Sequence, residues 1–89
     1  MHLTIIRRPE VRRRLGYSNS TLYLRIADGL VTPSISLGPR CVGWPEYEID
    51  AIIRARIAGK SDNDLRLLVI AMVEARKQTK AKGGLCYDN

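Results

Sequence analysis

"LGYSNSTLYLRIADGL", residues 15–30, sets a glycine, a turn of small polar residues, an amphipathic run and a second glycine within sixteen positions. Ser18 suits a helix N-cap, because its hydroxyl can accept from a first-turn amide that has no partner inside the helix. From there Leu22 and Ile26 fall four apart on one face, and Asp28-Gly29 marks the stop. Just upstream, Pro9 fits an initial helical turn, Val11 and Leu15 lie four apart, and Gly16 can take the left-handed conformation that ends a helix over about residues 9–15. Only Gly16-Tyr17-Ser18 separates the two, so the pair has the dimensions of a helix-turn-helix.

Downstream the texture changes. "VTPSISLGPRCVGW", residues 31–44, alternates apolar and small polar residues around Gly38-Pro39, which predicts a short β-hairpin with Arg40 at its tip. A helix-turn-helix followed by a small hairpin is a winged-helix arrangement. A third helix is expected from Pro45, where Glu46, Glu48 and Asp50 favour the positive end of the helix dipole and Ile49, Ile52, Ile53 and Ile57 form a core-facing stripe ending at Gly59. A fourth is expected from about Asp62 to Lys80, with Ser61 as N-cap and basic residues near its C-terminal end. Its centre, "LRLLVIAMV", is apolar nearly all round. Leu65, Leu68, Val69 and Met72 make one stripe and Leu67, Ile70 and Ala71 another, more than a chain this small is expected to cover. The first stripe is taken as the self-association face. The domain plan is a winged helix-turn-helix over residues 1–59, a C-terminal helix over 60–82 and a flexible tail over 83–89.

The exterior of the second helix is unusual for a packing helix. Opposite Leu22 and Ile26 it presents Ser20, Tyr23 and Leu24, with Ser18, Asn19 and Thr21 at its start and Arg25 on its flank, where long charged side chains are the norm. Small hydroxyls, an amide and an apolar side chain permit close approach to a base edge or a phosphate. Capping alone also accounts for serine and threonine at a helix start, and the surroundings decide between the two. Residues 1–44 carry seven arginines against Glu10 and Asp28, for +5, whereas residues 45–89 carry eight basic against seven acidic residues, for +1. The positive potential therefore sits with the helix-turn-helix, and Arg8, Arg12, Arg13 and Arg40 are candidates for a polyanion's phosphates.

The sequence points away from other classes. Cys41 and Cys86 lie 45 positions apart with no second ligand near either, and His2 is the one histidine, so no metal set, catalytic pair or cofactor loop is visible. No uncharged apolar run exceeds Leu67–Val73, which argues against a membrane span, and without a leader segment the expected location is the cytoplasm, on the nucleoid.

Two stretches, "RRPEVRRRLGYSNSTLY" and "GLVTPSISLGPRCVGWPEYEIDAIIRAR", resemble the AlpA family of prophage regulatory proteins, over about residues 5–57. The wing pattern is the most specific part: Leu37-Gly38, then Arg40, then Val42-Gly43-Trp44 running into an acidic helix start. The resemblance implies a mainly α fold with a small hairpin, a winged helix-turn-helix of the MerR-like type. It implies a DNA-binding transcriptional regulator, an excisionase (recombination directionality factor), or both, with Ser18, Ser20, Thr21 and Tyr23 on the recognition helix and Arg40 on the wing. The chain departs from the family pattern at Asn19 and Leu24, where arginine is common, and at Arg25, where an apolar residue is common. The family's target sequence therefore does not carry over, and the resemblance says nothing of the helix after Ser61.

The expected partners are double-stranded DNA at an attachment site or promoter, a second copy of the chain and a phage-type integrase. The competing expectation is a protein-interaction module that docks its C-terminal helix on an integrase or polymerase subunit. It predicts that Arg40→Ala and Thr21→Ala are silent and Leu68→Asp is not.

Overall fold

The computed structural model describes residues 3–86, with side chains through residue 77; His2 and the end of the expected tail lie outside the described residues, and the Cys86 side chain lies outside the described side chains. The elements run β1 (Ile5–Ile6), α1 (Arg8–Leu15), α2 (Asn19–Ala27), β2 (Ile35–Gly38), β3 (Cys41–Pro45), α3 (Glu46–Ile57) and α4 (Asp62–Cys86). The fold is mainly α with a small antiparallel sheet, a winged helix-turn-helix carrying an added C-terminal helix. Val11, Leu22, Leu30, Val31, Trp44, Ile49, Ile52 and Leu65 form one core to which α1, α2, the hairpin, α3 and α4 all contribute.

Local chemistry sets the boundaries. Gly16, at φ 72°, caps α1 in the left-handed region and its N–H donates to Arg12 O. Ser18 Oγ accepts from Thr21 N and opens α2. Pro45 stands at the N-cap of α3, so β3 passes directly into that helix.

The sheet is wider than the expected hairpin. β1 pairs with β3 through Ile5↔Pro45 and Ile6↔Trp44, giving the order β1-β3-β2. A two-residue strand leaves no periodicity to read, which is why the pattern misses it. The hairpin is also shorter than "VTPSISLGPRCVGW" suggests: Val31, expected in its first strand, lies in a buried loop segment with Leu30 and Thr32, and the Trp44 indole N–H donates to Thr32 O at 2.8 Å. Between the strands Gly43 is held to glycine by contact, since a Cβ there would stand 2.5 Å from Ile5 Cγ2 and 3.0 Å from the Ile6 carbonyl oxygen.

Two helical expectations also shift. Ile57, in the last turn of α3, is 81% exposed rather than part of the buried stripe. The helix expected to end near Lys80 runs to Cys86; terminal cations favour a helix end without breaking the helix that carries them. The strongest polar tie joins α3 to α4. Glu48, wholly buried, accepts from Arg76 Nε at 2.8 Å and Nη2 at 2.6 Å, and Arg76 Nη2 also donates to Pro33 O at 2.8 Å.

Candidate nucleic-acid interface

The core takes Leu22 fully and Ile26 in part, which turns the opposite face of α2 to solvent. Asn19, Ser20, Tyr23 and Leu24 are exposed there, Tyr23 at 51% and Leu24 at 61%. Ser18 and Thr21 stand differently: the Ser18 hydroxyl donates to Thr21 Oγ1 at 2.9 Å while accepting from the Thr21 amide, so both belong to the helix cap. Of the hydroxyls expected to face a ligand, Ser20 is the one these capping bonds leave open.

The arginines divide into two groups on either flank of α1. On one flank Glu10 accepts from Arg13 Nε at 2.9 Å and from Arg14 Nε at 2.8 Å. Arg14 reaches on to Glu46 at 2.9 Å and Asp50 at 3.6 Å, tying α1 to α3. The hydrogen bonds from Arg13 and then Arg14 hold the Glu10 carboxyl down to about 2, well below the usual carboxylate range, and raise both guanidinium pKa values in return. Arg13, a candidate phosphate contact by sequence, is thus charge-compensated, and Arg14 is a structural residue.

On the other flank no carboxylate is paired with an arginine among the described residues. Arg7 Nε donates to Val42 O at 3.0 Å, fastening the start of α1 to the wing. Arg8 lies over the Tyr23 ring at 5.3 Å and Arg25 over the Tyr17 ring at 5.9 Å. The Nε atoms of Arg8 and Arg25 are buried with no hydrogen-bond partner among the described residues. Arg12 makes a long bond, 3.4 Å, to the Tyr17 carbonyl. Arg40 stands exposed at the hairpin tip with φ 57°, left-handed backbone that a non-glycine residue adopts at a cost. The structure thus brings Arg8, Tyr23 and Arg40 onto one side with the open face of α2. Arg7 joins them there; the sequence places it in the basic cluster, but nothing in the pattern shows its bond to the wing.

The stripe expected to mediate self-association lies elsewhere. Leu65 is wholly buried, Val69 is 6% exposed, and Leu68 and Met72 pack partly against the same core, so these four hold α4 to its own chain. The remaining apolar stripe is the open one, with Leu67 at 66% and Ile70 at 59% exposed and Ala71 beside them.

Among the described residues no cluster of His, Cys, Asp or Glu is arranged to hold a metal ion, and no helix is long and apolar enough to cross a membrane. Cys41 is a half-buried free thiol.

Comparison with known proteins places the helix-turn-helix and wing in a family. Residues 4–57 match the family described as "Prophage CP4-57 regulatory protein (AlpA)". An uncharacterized protein, ORF88 of Enterobacteria phage P4, is 42% identical over 55 residues, a match spanning 62% of this chain and 62% of that relative. No solved structure matches. The matched family segment ends at residue 57, before α4 begins at Asp62.

Proposed function

Because this chain belongs to the AlpA family of prophage regulatory proteins, we propose that it is a sequence-specific, non-enzymatic DNA-binding protein that acts at a promoter, at an attachment site, or at both. The observation that carries this reading is the open side of the molecule, where the exterior of α2 is flanked by Arg7, Arg8, Arg12, Arg25 and Arg40, none of them paired with a carboxylate among the described residues. In this reading α2 enters the major groove. Asn19 can pair bidentately with adenine, Ser20 can donate to a base or a phosphate, and Leu24 can meet a thymine methyl. The arginines of α1 and the wing run along the sugar-phosphate backbone and set the register. Arg13, compensated by Glu10, drops out of the contact set, and Ser18 and Thr21 serve by shaping the start of α2.

As an excisionase the protein would occupy sites near an attachment site, bend the duplex and bias a phage-type integrase; as a regulator it would occupy half-sites at a promoter. Either role is served by self-association. We assign that to the Leu67, Ile70 and Ala71 stripe of α4, an apolar surface that the packing of α4 leaves open. The site of action is the cytoplasmic nucleoid.

The test is a titration of the purified protein against DNA flanking its own coding region and against a scrambled duplex, at two salt concentrations. Preferential binding to the native duplex that survives the higher salt is expected. Four to five phosphate contacts predict that affinity falls with about the fourth power of salt concentration. Equal binding to both duplexes, erased by salt, overturns sequence-specific reading. Leu67→Glu with Ile70→Glu is expected to lower the sedimentation coefficient and to abolish any dependence of the melting temperature on protein concentration.

A further inference from the structure

We infer that the cleft between the start of α1 and the wing is a clamp for a single backbone phosphodiester, and that Tyr23 is the positioning residue that holds one of its arms. The inference rests on the DNA-binding reading and goes beyond it by assigning one phosphate to three arginines and a role to Tyr23 other than base reading. The cleft is an open groove of about 360 Å³ lined by Arg7, Arg8, Pro9, Arg40 and Val42, with room for a phosphate and its adjoining sugar. Three arginines line it, from the start of α1 and from the wing tip, and none has a carboxylate partner among the described residues. Three uncompensated cations close together repel one another, an arrangement that becomes favourable when an anion sits between them.

The local backbone suits the same ligand. Arg7 occupies the N-cap of α1 with no side-chain cap, so the Arg8 and Glu10 amides keep their N–H groups unpaired, Pro9 having none, and the helix dipole keeps its positive end. Glu10, the one acidic residue of that first turn, is engaged on the other flank by Arg13 and Arg14. Arg7 is fixed through its bond to Val42 O, which leaves its outer guanidinium nitrogens for the cleft.

Arg8 is the arm with no such tie: its Nε is buried without a partner among the described residues, and its guanidinium is placed by the face of the Tyr23 ring, 5.3 Å from centroid to Cζ. A ring face attracts a cation without using its N–H donors, so Arg8 is oriented without the contact consuming its outer Nη donors. Tyr23 belongs to α2, and its ring therefore couples the seating of α2 to the geometry of the clamp. What this needs of Tyr23 is an aromatic face. The hydroxyl is dispensable.

The experiment compares Arg8→Ala, Tyr23→Phe, Tyr23→Leu and the double variant Tyr23→Leu/Arg8→Ala with wild type on a random-sequence duplex across a salt series, since a phosphate contact needs no particular bases. Arg8→Ala is expected to reduce the salt slope by about one and to weaken binding roughly tenfold near 0.1 M salt. Tyr23→Leu should reproduce most of that loss, Tyr23→Phe should match wild type, and the double variant should be no weaker than Arg8→Ala. A neutral methylphosphonate walked along the duplex should weaken wild type at one linkage and leave Arg8→Ala indifferent there. The proposal is overturned if Tyr23→Phe loses as much as Tyr23→Leu, if the two losses add in the double variant, or if wild type does not bind the duplex. Failure to distinguish native from scrambled DNA, with these slopes intact, would instead remove sequence specificity and leave the clamp standing.

Discussion

The two flanks of α1 use the same residue type for opposite purposes. On one, Arg14 is shared among Glu10, Glu46 and Asp50 and Arg13 is bound to Glu10; on the other, Arg7, Arg8 and Arg40 surround a cleft without a carboxylate. Arginine content does not separate them, because each flank is rich in it. What separates them is where the acidic residues fall: Glu10 lies three and four residues before Arg13 and Arg14, the spacing of neighbours on a helix surface, and α3 brings Glu46 and Asp50 to the same side. The lesson is that a basic patch becomes a candidate binding surface by exclusion of carboxylates more than by accumulation of arginines.

The sharpest way to break the contrast is at its structural extreme, where an arginine serves folding alone. Arg76 neutralises the wholly buried Glu48 and also holds Pro33 O. Arg76→Ala leaves a buried carboxylate without a partner and is expected to cost about 3–5 kcal/mol, seen as a large fall in the urea midpoint. Replacing both partners, Glu48→Leu with Arg76→Met, should recover most of the loss. DNA affinity measured on the folded fraction should be unchanged in either case. A folded Arg76→Ala with reduced affinity would place α4 in the interface.

Arg40 tests the other extreme. Its φ of 57° means that the wing tip carries a residue its backbone disfavours. Arg40→Gly is expected to raise the urea midpoint slightly, by up to about 1 kcal/mol, while weakening DNA binding roughly tenfold near 0.1 M salt. Arg40→Ala keeps the strain and loses the charge, so it should bind as weakly and unfold no later than wild type. Opposite signs for stability and affinity at one position are what a functional residue in a strained turn predicts. If Arg40→Gly lowers both, the side chain is part of the fold.

The parts of this fold that are legible in the sequence are those written in local chemistry. Gly16, Ser18 and Gly29 mark the helix-turn-helix because each answers to its own backbone, and Gly38-Pro39 marks the hairpin for the same reason. The open face of α2 is equally legible, since Leu22 and Ile26 fix which side is inward. What could not be read are pairings across the chain. β1 is too short to show a period, Arg7 meets Val42 across 35 positions, and Arg76 meets Glu48 across 28. The two apolar stripes of α4 are indistinguishable as patterns, and only the packing of Leu65 and Val69 on the core decides that Leu67 and Ile70 are the exposed pair. The pairing of Arg13 is a related case: its partner Glu10 is close in sequence, but reading Glu10 as its neutraliser requires knowing which way both side chains point.

Glu10→Gln probes the compensated flank itself, with the smallest effect and the clearest sign. The Glu10 carboxyl is held at about 2 by Arg13 and Arg14, against an ordinary value of 4.5. A carboxyl depressed in the folded state contributes stability that is present above its unfolded value and lost as pH falls through its folded value. Wild type should therefore exceed Glu10→Gln in stability at neutral pH, and the gap should close between about pH 4.5 and about pH 2 in parallel acid titrations of the two proteins. The same substitution frees the Arg13 guanidinium without moving the backbone. If the carboxylate-bearing flank faces away from DNA, the salt slope of binding stays where it was, because a cation beyond the footprint releases no counterions from the duplex. A slope steeper by about one would mean that Arg13 lies within reach of a phosphate, and that Glu10 holds back a contact the protein is otherwise built to make.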